Sequence, residues 1–136
     1  MTYPSTNVAH ALRTLLRCSL VNDPADPDSD CTNADEYEAS DALIQLVAAE
    51  WEDFYNQLTA LNFDPSEAYT CALHPDNEGD WWNAVAHDWI LTRECHGSGF
   101  WDDRLSEPWA TTLTNLAQAG PEFNLWLDSN GLLYPG

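Results

Sequence analysis

Val8, Leu12, Leu15, Leu16 and Leu20 recur at helical spacing behind Ser5, a residue type that caps helices. Arg13 and Arg17 fall in the later turns, where cations suit the macrodipole. The pattern predicts a first helix that ends near Val21. The stretch N-D-P-A-D-P-D-S-D-C-T-N over residues 22–33 breaks the period with two prolines and four aspartates, and reads as an extended, exposed loop. A longer helix is predicted from Asp35 or Ser40 to about Leu61. Its stripe is Leu43, Leu46 or Val47, Trp51, Phe54, Leu58 and Leu61, while Asp41, Glu50, Glu52 and Asp53 lie largely off it and make the outer face anionic.

Asp64-Pro65 then opens a short helix through Leu73, closed by His74-Pro75. Asp80 caps a helix carrying Trp81 or Trp82, Val85, Trp89 and Ile90. Leu105, Trp109, Leu113 and Leu116 predict one more, with Pro108 in its first turn and a stop at Gly120-Pro121. After that the period changes from helical to two. Phe123, Leu125 and Leu127 alternate, Asp-Ser-Asn-Gly supplies turn chemistry, and Leu132 with Tyr134 resume the alternation, which predicts a hairpin over about 122–134. A two-stranded hairpin is marginal alone and must pack on the helices. The expected fold is mostly α (α+β): four or five helices in a single domain over residues 1–136, with a small C-terminal β-hairpin.

Composition keeps this picture and adds a charge problem. Hydrophobic residues at 44% and seven Trp place the chain among proteins that fold. The net charge of −19 comes from 23 acidic residues set against four Arg, at 13, 17, 93 and 104, and no Lys. Between Arg17 and Arg93 stand 17 carboxylates and no Arg or Lys. Such a field repels nucleic acid and anionic membranes and steers the chain towards basic surfaces. Cys18, Cys31, Cys71 and Cys95 follow no disulfide framework, and no apolar run approaches the ~20 residues of a membrane span. Reduced thiols and a cytoplasmic location are expected.

The cations that remain flank one irregular segment, T-R-E-C-H-G-S-G-F-W-D-D-R over residues 92–104. From His87 to Tyr134, the residues His87-Asp88-Trp89-Ile90-Leu91-Thr92-Arg93, then His96-Gly97-Ser98-Gly99-Phe100-Trp101-Asp102, then the late Asp-Ser-Asn-Gly-Leu-Leu-Tyr, resemble a family of small acidic phage and prophage proteins. That family has an H-D-x-x-L-T-R-x-x-H-G-x-G-F-W-D core and a closing hairpin. Cys95 stands where the family pattern has glycine. The resemblance covers the last third of the chain and carries no catalytic residue with it. It implies a phage-type origin and an accessory protein acting on host machinery, in the host cytoplasm.

Read from the residues themselves, Arg93, His96, Gly97, Gly99, Phe100, Trp101, Asp102 and Arg104 form a structural motif. The glycines make a turn, Phe100 and Trp101 plug the core, and Arg93 or Arg104 pairs with Asp88, Asp102 or Asp103. A Ser98-His96-Asp102 triad lacks the strand-to-helix nucleophile elbow, so no catalytic residue is assigned. No lysine exists to complete a phosphate-binding loop. Cys71, His74, His87, Cys95 and His96 fit no standard zinc spacing, and the Asp23–Asp30 stretch lacks the central Gly and terminal Glu of a calcium-binding EF-hand loop, so no cofactor is expected. The seven Trp fall mostly on predicted core faces; the alternative is that one ring of the vicinal pair Trp81-Trp82, which cannot both point the same way, is an exposed binding anchor.

The functional expectation rests on the cation-free stretch. Asp23, Asp26, Asp28, Asp30, Asp35, Glu36, Glu38, Asp41, Glu50, Glu52 and Asp53 would imitate the phosphate array of DNA and bind a basic host protein, one that itself binds nucleic acid. Direct contact with nucleic acid or membrane is not expected. Two alternatives stand beside it: acidity as adaptation to salt or to solubility without mimicry, and a small hydrolase or metal-binding protein centred on His96.

Overall fold

The computed structural model describes residues 6–21, 32–68, 81–94, 100, 105–120 and 123–135. The Ser5 cap, the aspartate-rich stretch 22–31, the helix end near Leu73 with His74-Pro75, and the Asp80 cap lie outside the described residues. Within them the chain runs α1 (Thr6–Cys18), β1 (Leu20–Val21), β2 (Thr32–Asn33), a 3-10 turn (Ala34–Glu36), β3 (Glu38–Ala39), α2 (Asp41–Ala60), α3 (Pro65–Ala68), α4 (Trp81–Arg93), α5 (Trp109–Gln118), β4 (Leu125–Leu127) and β5 (Leu132–Pro135). The fold is mostly helical with a small sheet, the α+β class that the periodicity predicts.

Helix α4 lies in the middle of the fold and is buried along most of its length. Asn83, Ala84, Val85, Ala86, Asp88, Trp89, Ile90, Thr92 and Arg93 are all buried along it. Two of its polar side chains, Asn83 and His87, find partners on α1, the helix it packs against most extensively. The Asn7 side-chain amide donates to Asn83 Oδ1 at 2.7 Å, and Thr14 Oγ1 lies 2.9 Å from His87 Nδ1. Helix α1 stops at Cys18, earlier than its apolar spacing predicts, because Leu20 and Val21 leave the helix to pair antiparallel with Asn33 and Thr32. Leu20 is consequently exposed.

Ser40, the later of the two predicted starts, caps α2: its Oγ accepts the Leu43 N–H at 3.2 Å, and its own N–H donates to the Leu133 carbonyl at 2.9 Å. The buried stripe is Leu43, Ile44, Val47, Trp51, Phe54 and Leu58. Leu61 falls off it, because the chain turns there into a Schellman end. Asn62 takes φ 61°, the Phe63 N–H reaches Leu58 O and the Asn62 N–H reaches Thr59 O, both at 3.1 Å. Phe63 and Leu58 are both buried, as the hydrophobic contact of that motif requires. Asp64 opens α3 by accepting from Ser66 N and Ser66 Oγ at 3.0 and 2.7 Å.

Helix α5 begins at Trp109, so Leu105 precedes it and Pro108 sits at its cap, outside the first turn. Pro108 offers no side-chain acceptor, and the Glu107 carboxylate takes that role, accepting from Thr111 N at 2.9 Å and Thr111 Oγ1 at 2.6 Å. The hairpin of β4 and β5 is a pair of strands in a three-stranded sheet of order β3-β5-β4, with β3 added in parallel to β5. Its inner face also differs from the predicted alternation. Leu127 lies opposite Leu133 and Trp126 opposite Tyr134, so Leu133 enters the core while Tyr134 stacks on Trp126 at 4.9 Å on the outer face. A one-residue step in the turn moves every side chain of a strand to the other face.

Candidate functional site: an acidic face and a buried arginine

Asp35 and Glu36 lie in the 3-10 turn, Glu38 in β3 and Asp41 in the first turn of α2, and all four are exposed. Glu52 and Asp53 are exposed farther along α2. At ~1.5 Å and ~100° per residue, Asp41 and Glu52 stand on nearly the same line of the helix, about 16 Å apart. Asp53 accepts the Gln57 amide at 2.9 Å, one turn on. These six carboxylates form the described part of the predicted acidic surface; Asp23, Asp26, Asp28 and Asp30 lie outside the described residues.

Glu50 departs from this group. It is half-buried, and its Oε1 stands 3.4 Å from Arg93 Nη2. A carboxylate that faces Arg93 is thus carried by α2, 43 positions away in the chain; Asp102 and Asp103 lie outside the described residues. Arg93 itself is buried at the end of α4, its side chain only 4% exposed. Its guanidinium carbon lies 4.4 Å from the Phe123 ring centroid and 5.6 Å from that of Trp89. A desolvated planar cation over an aromatic face is a favourable arrangement for Arg and a poor one for Lys.

Gly120 completes this surround. A Cβ built there would lie 2.7 Å from Arg93 Cζ, so the missing side chain is what lets the α5 end pass over the guanidinium. Beside it a cavity of about 180 Å³ opens between α2, α4 and α5, walled by Phe54, Trp89 and Leu116 and rimmed by Glu50, Asp53 and Gln57. The neighbouring Glu94 accepts the Phe123 N–H at 2.9 Å, tying the same corner to the approach of β4.

Phe100 does plug the core, with 1% of its surface exposed. Its N–H donates to Thr92 Oγ1 at 3.1 Å and its ring stacks on Phe54 at 6.1 Å. His96, Gly97, Gly99, Trp101, Asp102 and Arg104 lie outside the described residues, as do Cys71, His74 and Cys95. Among the described residues no three of His, Cys, Asp and Glu converge as a metal site would require. Trp81 and Trp82 are both half-buried, Trp82 resting on Tyr55 at 4.5 Å, so neither is the outward anchor that their adjacency allows. Among the described residues the exposed tryptophan is Trp126.

The chain matches no family model, no curated protein and no solved structure. What the site can do is therefore argued from its own geometry. No helix among the described residues is long and apolar enough to cross a membrane. The residues that sequence reasoning missed are Gly120, Glu94 and the role of Glu50. Gly120-Pro121 reads as a helix stop, which conceals the close approach, and a pairing between positions 50 and 93 leaves no local trace.

Proposed function

We propose that the chain is a phage-type acidic accessory protein that imitates DNA and occupies the nucleic-acid groove of a basic host protein, such as one acting in restriction, CRISPR defence or repair. The observation that carries this reading is the run Asp35, Glu36, Glu38 and Asp41, four exposed carboxylates within seven residues, continued by Glu52 and Asp53 along α2. With no Lys in the chain and Arg93 buried against Glu50 and the aromatic corner, the exposed cations among the described residues are Arg13 and Arg17, which border the face at Asp35 and leave Glu36, Glu38 and Asp41 to carry its negative field. Helix α2 by itself is too sparse a mimic. Its four carboxylates, from Asp41 to Asp53, spread over about 18 Å of axis, whereas duplex DNA carries about one charge per ~1.7 Å. The 3-10 turn and β3 supply the denser end.

A pull-down with the purified chain from nuclease-treated bacterial lysate, across a salt series, tests this. The expected catch is a basic DNA-binding protein whose recovery falls as salt rises and which duplex DNA displaces. The combined substitution D35N/E36Q/E38Q/D41N is expected to abolish that recovery while the protein stays folded. A partner indifferent to salt and DNA, or no partner, would overturn the proposal.

A further inference from the structure

Two of the four arginines, Arg13 and Arg17, lie on α1. They stand four residues apart on α1, both exposed, so their side chains leave the same face one turn from each other. Among the described residues neither forms an ion pair, although the chain holds 23 acidic side chains and the two like charges repel each other. Both line a cleft of about 350 Å³ between α1 and the 3-10 turn, whose other walls are Ala9, Leu12, Leu16 and Asp35. That volume lies at the lower end of the ~300–1,000 Å³ typical of small-molecule sites.

The lining has three kinds of surface. Leu12 is buried, Leu16 and Ala9 are half-buried, and together they make an apolar floor. Two guanidiniums on one side offer planar donor forks suited to a carboxylate. Asp35 on the other side offers an acceptor for a cation, and among the described residues it too has no ion-pair partner. A simple anion is a poor guest, because the field of a −19 molecule opposes its approach. A zwitterion has no net charge to be repelled, and it satisfies both poles of the cleft at once.

We propose that this cleft binds a free amino acid with an aliphatic side chain. Its α-carboxylate lies on Arg13 and Arg17, its ammonium faces Asp35, and its side chain rests on Leu12, Leu16 and Ala9. This inference shares Asp35 with the acidic face but does not need the DNA-mimic reading, since Arg13 and Arg17 lie outside that face.

The test is an NMR titration of the full chain, following the Arg Nε–Hε resonances, with L-leucine as the probe. Saturable shifts at Arg13 and Arg17 are expected. Glycine, 4-methylpentanoate and 3-methylbutylamine, which lack the side chain, the ammonium and the carboxylate respectively, should each bind about tenfold or more weakly, since each leaves one part of the lining unsatisfied. R13Q/R17Q, at two exposed positions, should remove leucine binding with the circular dichroism spectrum unchanged. Asp35→Asn should bring leucine down to the affinity of 4-methylpentanoate while leaving the latter as it was. Absence of saturation, leucine binding that survives R13Q/R17Q, or inorganic phosphate shifting the same resonances as tightly as leucine would overturn the proposal.

Discussion

Gly120 and Arg93 depend on each other. The guanidinium is the far end of a flexible side chain and could ordinarily move away from an added Cβ. Here it is held between Glu50 at 3.4 Å and the Phe123 ring at 4.4 Å, so moving it breaks one contact or the other. Gly120→Ala is expected to destabilise the fold by about 1–3 kcal/mol, the usual range for overpacking a fixed neighbour, as measured by urea denaturation. In an E50Q background the cost should shrink, because one of the contacts that hold the guanidinium is weakened; an unchanged cost would place the strain elsewhere. Cys18 carries a different residue-scale consequence. Burial, with the charge of Glu94 adding to it, pushes its thiol from 9.0 up to about 11. The folded state therefore keeps this proton at a pH where the unfolded chain has lost it. The stabilisation is complete below pH ~9 and is lost as pH rises towards ~11, and Cys18→Ser should flatten that part of the stability curve.

Among the elements, helices were legible where an apolar stripe repeats over several turns, and the two-residue strands were not. The α2 stripe and the Val85, Trp89 and Ile90 positions of α4 reveal themselves because ten or more residues sample the period. β1, β2 and β3 are two residues each, too short for alternation to register, and β3 joins β5 in parallel from the far end of the chain. The hairpin was legible by its Asp-Ser-Asn-Gly turn, yet its inward face was not. Asp128 Oδ1 accepts from both Asn130 N and Leu132 N, at 2.9 and 2.8 Å, and that turn geometry sets which residues of β5 face in. The end of α2 offers the sharpest test at this scale. Asn62 at φ 61° occupies a conformation that costs an ordinary L-residue about 1–2 kcal/mol, and glycine nothing. Asn62→Ala is expected to lower stability by about 1 kcal/mol, and Asn62→Gly to match or exceed the native protein, in thermal melts. Equal loss in both variants would mean that the Asn62 side chain, not its backbone, holds the turn.

For the whole molecule the governing quantity is charge. The candidate site was legible from the sequence as a charge imbalance, because a count of carboxylates needs no structure. Its division into a free face and the committed Glu50 was not, because that rests on α2 and α4 meeting far apart in sequence. Self-repulsion at −19 opposes the compact state, and salt relieves it over a definite range. The Debye length falls from ~30 Å at 0.01 M to ~8 Å at 0.15 M, and then to ~3 Å at 1 M. Exposed carboxylates on one face, such as Asp41 and Glu52 about 16 Å apart, feel each other in the first condition and hardly at all in the second. The melting temperature is therefore expected to climb between 0.01 and 0.15 M sodium chloride and to level off above it. A protein whose acidity serves adaptation to molar salt would instead keep gaining stability up to 1 M and beyond, and would unfold in dilute buffer. A plateau would leave a surface that is folded at ordinary ionic strength, where carboxylates within a Debye length of a basic groove compete with phosphates for it.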